Sequence, residues 1–162
     1  MSERSDKPDR KVPAKRSVAD LGNRSSIIFV TVCTKDRKAI FANEAAHGLL
    51  VEKWQDADHF LVGRYVIIPD HVHFFACPSN PEHSDVRRWI AYWKRLVTQA
   101  WPKPRDLPLW QKQAWDRQLR SGESYSEKWD YVRANPVRHG LATNAGDWIY
   151  QGELNEFEWH GA

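Results

Sequence analysis

The sequence has few cysteines and no long apolar run, and both absences restrict what the protein can be. Only Cys33 and Cys77 are present among 162 residues, and neither has a Cys-x-x-Cys or Cys/His spacing around it. A disulfide framework or a zinc knuckle is therefore not expected, and both thiols are predicted to be buried and free. Apolar runs such as "SSIIFVTV" are far too short to span a bilayer. The polar N-terminus also lacks the apolar stretch of a signal peptide, so we expect a cytoplasmic protein.

The chain also lacks a strong net charge once its two parts are separated. Residues 1–25 hold seven Lys or Arg against four Asp or Glu, and the other residues hold seventeen of each sign. The first segment has almost no large apolar side chains, which predicts a mobile basic arm over residues 1–25. Residues 26–162 are predicted to form a single domain. Any affinity of that domain for a polyanion must come from local patches.

Hydrophobic patterns predict an α+β domain. The strand-like runs are "SIIFVTVCT", "HFLVGRYVIIP", "HVHFFACP" and "LPLWQKQAWDRQLRS". One helix follows the N-cap Asn43, a second follows Ser84 or Asp85, and a last helix opens at a capping box formed by Ser124 and Glu127. The order β-α-β-β-α-β predicts a ferredoxin-like sheet with helices on one face, followed by a C-terminal helix that carries a tyrosine.

The stretch "IIPDHVHFF" places two histidines inside a strand-like apolar run. Because successive side chains of a strand point to opposite faces, His71 and His73 share one face, and Val72 and Phe74 point into the core. The two histidine Cα atoms are expected to lie roughly 6.5 Å apart, which suits two imidazoles that bind one metal ion. A bare His-x-His is also compatible with structural or surface histidines.

A second polar group lies in "KWDYVRANPVRHGLA". Tyr131 and Asn135 are four residues apart and share a face if the helix continues, which offers a nucleophile and a third metal ligand. Pro136 disfavours helical geometry at the residue before it. In an alternative interpretation, Asn135 therefore caps a short helix that starts at Pro136 and ends near Gly140. Tyr131 is likewise compatible with a half-buried aromatic residue whose hydroxyl is hydrogen-bonded.

Cations interleaved with aromatic residues follow between Val86 and Arg105, a pattern typical of surfaces that bind single-stranded DNA. Helical periodicity, however, places Trp89 and Trp93 in the core, and the cations themselves are compatible with an ordinary solvated face. Two further arginines flank Tyr131. The candidate DNA-binding residues are Arg87, Arg88, Lys94, Arg95, Arg133 and Arg138.

Taken together, these stretches resemble a known family, the single-tyrosine HUH transposases, and in particular the REP-associated tyrosine transposases of bacterial chromosomes. "IIPDHVHFFACP" resembles their histidine-hydrophobe-histidine strand, and "DYVRANPVRHGLA" resembles their tyrosine helix with its Asn-Pro-Val element. "LWQKQAWDRQLRSGESY" is similar to the Trp-Gln segment that precedes that helix. The similarity runs from about Ile27 to Trp148.

The resemblance implies an activity and a set of roles. His71 and His73 would bind Mg²⁺ or Mn²⁺, with Asn135 in the position of a third ligand, and Tyr131 would be the nucleophile that forms a 5′-phosphotyrosine intermediate. The substrate would be single-stranded DNA with hairpins from REP-like repeats, bound by a bacterial, nucleoid-associated protein. A homodimer is one of two oligomeric states that the resemblance allows.

Two other functions fit the same residues. The first is a non-catalytic module of this fold that binds single-stranded nucleic acid. The second is a zinc hydrolase that uses the His-x-His pair as two of its ligands. The hydrolase requires a third strong ligand, and the spacing of the remaining histidines singles none of them out.

Overall fold

The fold is described by a computed structural model, which covers residues 27–80, 82, 85–119 and 125–157. The predicted basic arm and Ser124 of the predicted capping box lie outside these residues. None of the helices within the described ranges is long and apolar enough to cross a membrane.

Five antiparallel strands form one sheet in the order β4-β1-β3-β2-β5. Their bounds are β1 Ile28–Thr34, β2 Phe60–Ile68, β3 His71–Pro78, β4 Trp110–Gln118 and β5 Gln151–Glu153. The first four strands have the order of a ferredoxin-like sheet, so the predicted fold is confirmed. The sequence did not predict β5. Its three residues carry no strand pattern of their own, and their pairing with β2 depends on tertiary contacts.

The helices are α1 Glu44–Asp56, α2 Val86–Ala100, α3 Tyr125–Arg133 and α4 Asn135–Arg138. The Asn43 side chain accepts a hydrogen bond from the amide of Ala46, which confirms the predicted cap of α1. Asp85 caps α2 by accepting from the amide of Arg88. The C-terminal helix with Tyr131 is present as α3.

Helices α1 and α2 pack on one face of the sheet, which we call the helix-side face. Val72 and Phe74 are fully buried there, as the strand alternation predicted. Trp54, Trp89 and Trp93 meet them from the two helices, and the rings of Phe74 and Trp93 lie 5.8 Å apart. The periodicity of α2 therefore identified Trp89 and Trp93 correctly as core residues.

The opposite face, which we call the histidine-side face, is partly covered by α3. Val66, Phe75 and Cys77 of the sheet are buried there with Tyr125 and Val132 of α3. The added C-terminal helix therefore packs on the face opposite to α1 and α2. Strands β2 and β3 have large apolar residues at both parities, because both of their faces are buried. Cys33 and Cys77 are free and buried, as predicted.

Helix α3 approaches β2 so closely that only glycine fits at position 63. A Cβ atom on Gly63 would lie 2.7 Å from the ring of Phe157 and 2.8 Å from the hydroxyl of Tyr125. The missing side chain lets both rings rest directly on the strand. Gly63 thus determines how closely the helix that carries Tyr131 packs on β2.

Candidate metal and nucleophile site

His71 and His73 lie side by side on the histidine-side face of β3. Their ring centroids are 4.7 Å apart, and the planes are nearly perpendicular at 80°. His71 is only 6% exposed, because the turn before β3 and the segment after α3 enclose it. The shared face that the strand alternation predicted is confirmed.

A carboxylate orients the first imidazole. His71 Nδ1 lies 2.8 Å from Asp70 Oδ1, and Arg37 Nε donates to the other oxygen of the same carboxylate at 3.0 Å. An ionised carboxylate can only accept, so Nδ1 of His71 carries the proton and donates it to Asp70. The lone pair of Nε2 is then available to a ligand. This carboxylate-histidine arrangement is the one that orients metal-binding histidines.

Neighbours on β1 orient the second imidazole. Nδ1 of His73 lies 2.8 Å from the hydroxyl oxygen of Thr31. The ring also stacks on Phe29, with centroids 5.4 Å apart and an interplanar angle of 19°. Both imidazoles therefore use Nδ1 for contacts inside the protein, and each keeps Nε2 for a further ligand.

Both histidines are held neutral by their surroundings. Burial, with a smaller contribution from the neighbouring His71, lowers the pKa of His73 to about 3. Burial also lowers the pKa of His71, although the hydrogen bond to Asp70 acts in the opposite direction. At neutral pH both rings are uncharged, which is the protonation state that binds a metal ion.

The turn after β1 holds Arg37 against the site in a strained conformation. Asp36 and Arg37 both have positive φ, at 57° and 54°. Residues other than glycine have a higher conformational free energy at positive φ, so tertiary contacts must maintain the turn. The ion pair between Arg37 and Asp70 is such a contact. Neither Arg37 nor Asp70 was predicted from the sequence, although the position of Asp70 directly before His71 was a signal.

Tyr131 projects from α3 and is 63% exposed. The guanidinium carbon of Arg138 lies 4.2 Å from the centre of its ring, which is a cation-π contact. Arg138 Nη2 also donates to the backbone carbonyl of Tyr131 at 3.0 Å and to Asn135 Oδ1 at 2.9 Å. Arg138 therefore connects two of the predicted site residues.

Asn135 is the first residue of α4, and Ala134 is the cap. The amides of Val137 and Arg138 both donate to the carbonyl of Ala134, so the hydrogen-bonded turn starts one residue before Asn135. The alternative in which Asn135 caps this helix was therefore wrong. Its predicted end was correct, since Gly140 leaves the helix with φ of 72°.

The Asn135 side chain is buried and already bonded. Nδ2 donates to the carbonyl of Val132 at 2.8 Å, and Oδ1 accepts from Arg138. An amide oxygen has a second lone pair, so these contacts leave one acceptor position on Oδ1. Metal ligation by Asn135 stays a prediction.

The segment that carries Tyr131 lies beside the histidine pair. The ring of His139, just beyond α4, lies 5.9 Å from that of His71, and the charges of Arg138 and Lys128 contribute to lowering the pKa of His73. The fold thus brings together two sequence stretches that are about sixty residues apart. Within the described ranges, no three or more His, Cys, Asp or Glu side chains are grouped so that they could hold a metal ion.

The predicted DNA-binding cations of α2 lie on the other side of the sheet from the histidines. Arg87 pairs with Asp116 at 3.4 Å, and Lys94 Nζ donates to the carbonyl of Gln111 at 2.9 Å. Arg95 stacks over Tyr92. Arg88 follows Arg87 in the first turn of this helix. Contact of these residues with DNA stays a prediction, and it concerns a surface separate from the histidine pair.

Arg133 and Arg138 occupy different places, although both are close to Tyr131 in sequence. Arg138 packs on the Tyr131 ring, whereas Arg133 lines an open groove between α3 and β5 with Trp129 and Trp148. Only Arg138 is therefore in contact with the predicted nucleophile. The role of Arg133 toward DNA stays a prediction.

Site and fold together define the class: a ferredoxin-like domain with a paired-histidine strand beside a tyrosine-bearing helix. No family model matches the chain. It is similar to a putative REP-associated tyrosine transposase of Haemophilus influenzae, with 26% identity over 78% of this chain and 79% of that protein. A REP-associated tyrosine transposase of Escherichia coli is 26% identical over 56% of this chain and 53% of that protein.

A solved structure shows the same fold. It is that of a REP-associated tyrosine transposase bound to a REP hairpin, with a TM-score of 0.65 and 22% identity over 80% of this chain and 77% of that chain. The resemblance to REP-associated tyrosine transposases noted in the sequence is confirmed by these relatives.

Proposed function

We propose that this protein cleaves and rejoins single-stranded DNA beside hairpin-forming repeats, with Tyr131 as the nucleophile and a divalent cation at His71 and His73. The observation that carries the proposal is the position of two neutral imidazoles beside the segment that presents an exposed tyrosine. The names of the relatives point to transposition, and the solved relative bound to a REP hairpin points to hairpin DNA as the partner.

The histidine pair suits a metal ion. Asp70 and Thr31 occupy the Nδ1 atoms, so both Nε2 atoms are left for one ligand. Two imidazoles, the amide oxygen of Asn135, water and a DNA phosphate oxygen form a donor set that fits Mg²⁺ or Mn²⁺, and Mn²⁺ accepts nitrogen more readily. When bound, the cation would polarise the scissile phosphate and offset the charge that builds on its oxygens.

Tyr131 performs the covalent step. Its hydroxyl oxygen attacks phosphorus as the phenol loses its proton, and the bond from phosphorus to the 3′ oxygen breaks. The products are a 5′-phosphotyrosine and a 3′-hydroxyl that has taken up a proton. A 3′-hydroxyl from the same or another strand reverses the step, so joining requires no ATP.

Arg138 supports this step from its place over the Tyr131 ring. Its hydrogen bonds to the carbonyl of Tyr131 and to Asn135 fix the guanidinium. Its positive charge would then stabilise a phosphate that Tyr131 attacks. Homodimer formation and location at the nucleoid belong to the same proposal.

A covalent-adduct assay tests the function. The protein is incubated with labelled single-stranded hairpin oligonucleotides of REP type and Mg²⁺ or Mn²⁺, and the mixture is run on a denaturing protein gel. We expect a label that migrates with the protein, requires the metal and disappears in Tyr131→Phe. Tyr92→Phe is the matched control, because it changes an exposed tyrosine on α2 and should retain the adduct.

Two outcomes would contradict the proposal. An adduct of undiminished yield in Tyr131→Phe would show that another group is the nucleophile. Hairpin binding without any adduct in the unmodified protein would identify the non-catalytic binding module instead.

A further inference from the structure

Trp115 is an exposed residue in the middle of β4, in the same row as His73. Trp115 pairs with Thr31 across β4 and β1, and Thr31 pairs with His73 across β1 and β3. Directly opposed residues of neighbouring antiparallel strands project to the same face of a sheet. Trp115 therefore lies on the histidine-side face, two strands away from His73, which is roughly 10 Å at the usual strand spacing.

The surface around Trp115 is open because α3 covers another part of the sheet. The buried contacts of α3 are with Val66, Phe75 and Cys77, which belong to β2 and β3. Trp115 is 52% exposed, and its ring contacts no other aromatic ring or cation within the described residues. Edge strands are commonly protected by charged side chains, so an exposed indole in the middle of β4 is unusual.

Aromatic and cationic groups connect Trp115 with the histidine pair. Phe29 lies beside Thr31 on β1, stacks on His73, and carries Lys128 Nζ 5.2 Å above its ring. We call the surface formed by Trp115, Phe29, Lys128 and His73 the open strip. It begins at the predicted metal ligands and ends at the outer edge strand of the sheet.

Exposure alone does not imply a ligand, since single exposed apolar residues are common on protein surfaces. The open strip differs because the exposed indole of Trp115 shares a sheet surface with a cation, since Lys128 Nζ lies 5.2 Å above the ring of Phe29 on the neighbouring strand. Rings that stack on bases beside cations that neutralise phosphates are the two components of single-strand binding surfaces. Charge and shape thus favour an unpaired nucleotide as the occupant.

We propose that an unpaired nucleobase of the DNA strand next to the scissile phosphate stacks on the indole of Trp115. The inference rests on the proposed function and extends it, because it assigns the path of the strand from the histidine pair across β1 to β4. Ala114 and Asp116 point to the helix-side face, so among these three neighbours only Trp115 can meet that strand.

A binding experiment tests the stacking without any cleavage. The metal-free full chain is titrated into two short labelled single strands that have the same number of phosphates, one of mixed sequence and one abasic at every position. Trp115→Ala should weaken binding of the base-bearing strand by about 5- to 150-fold and leave the abasic strand unchanged. Trp115→Thr, which retains a strand-forming residue, should behave in the same way, and Trp115→Phe should restore much of the affinity.

Ile149→Ala is the matched control, because Ile149 is a large exposed side chain just before β5, at the opposite edge of the sheet from β4. Equal affinities of Trp115→Ala, Trp115→Thr and the unmodified protein would overturn the stacking, as would a loss confined to Ile149→Ala. If the unmodified protein still forms the Tyr131 adduct in that case, the proposed function stands and only the strand path is wrong. Failure of the unmodified protein to bind single strands or form the adduct would overturn both.

Discussion

The helix-side face of the sheet is packed with Trp and Phe rings under two long helices, whereas the histidine-side face carries imidazoles and cations under one short helix. The first face buries apolar surface, which is the main source of folding free energy. The second buries two neutral imidazoles whose inner nitrogens are hydrogen-bonded, and it leaves Tyr131 and Trp115 exposed. One face thus serves packing alone, whereas the other combines a smaller apolar cluster under α3 with the polar groups of the predicted site.

Removing a histidine from each face should give the largest contrast. His73→Ala deletes one of the two predicted histidine ligands, so we expect Mn²⁺ affinity to fall by about 100-fold or more, beyond the usual loss from an outer-shell change. His47→Ala is the control: His47 is half-buried on α1 and bonds the Tyr65 hydroxyl at 2.7 Å, far from the predicted ligands in the fold. Isothermal titration of the purified proteins measures both affinities. A similar loss in both variants would mean that the metal does not bind at the histidine pair.

Adding a methyl group beneath α3 should have the next largest effect. In Gly63→Ala the new Cβ would press on Phe157 and Tyr125, both buried, so the free energy of unfolding should fall by about 1–3 kcal/mol. Gly48→Ala is the matched control, because nothing lies within 4 Å of its Cβ position in α1. That variant should gain about 0.5–1 kcal/mol through better helix propensity.

Denaturant unfolding of both glycine variants provides the measurement. Because α3 carries Tyr131, Gly63→Ala should also reduce the yield of the covalent adduct, whereas Gly48→Ala should not. Unchanged stability in Gly63→Ala would mean that α3 does not rest on β2 at this glycine.

Lowering the pH should reduce the free energy of unfolding of the metal-free protein, because of the histidines on the histidine-side face. His73 has a folded pKa of about 3, below its unfolded value near 6.5, so the unfolded chain binds more protons between these limits. The contribution of His73 to the free energy of unfolding is fully present above pH ~6.5. It decreases as the pH falls below that value, by at most about 1.4 kcal/mol per pH unit. His71 contributes in the same direction.

His73→Gln should flatten this acid limb in denaturant unfolding measured across that pH range, while His47→Gln should preserve it. An unchanged slope in His73→Gln would show that folding does not lower the pKa of this imidazole. The two faces would then no longer differ in having buried imidazoles with a lowered pKa.

The strands and helices could be predicted because their signals are local. The alternation around His71 and His73 set their shared face, and the spacing of Trp89 and Trp93 identified the buried side of α2. Asn43 and Asp85 indicated the starts of two helices, because their side chains are typical N-caps. Each of these signals lies within a few residues of the feature that it predicts.

The remaining features depend on contacts between residues distant in sequence. Strand β5 has only three residues and pairs with β2 from almost ninety positions away, so no local pattern indicated it. The ion pair of Arg37 with Asp70 requires two positive φ values that the sequence does not signal with glycine. The covering of β2 by α3 was indicated only by the apolar residues at both parities of the strand.

The strained turn at Asp36 and Arg37 couples the stability of the protein to the orientation of His71. Two left-handed residues without glycine cost of order 1–3 kcal/mol each, and they serve to hold Arg37 on the carboxylate that orients His71. A glycine at position 36 would relieve part of that cost and make the position of Arg37 less fixed. Asp36→Gly should therefore raise the free energy of unfolding while it loosens the contact of Arg37 with Asp70, so stability and the orientation of His71 would change in opposite directions.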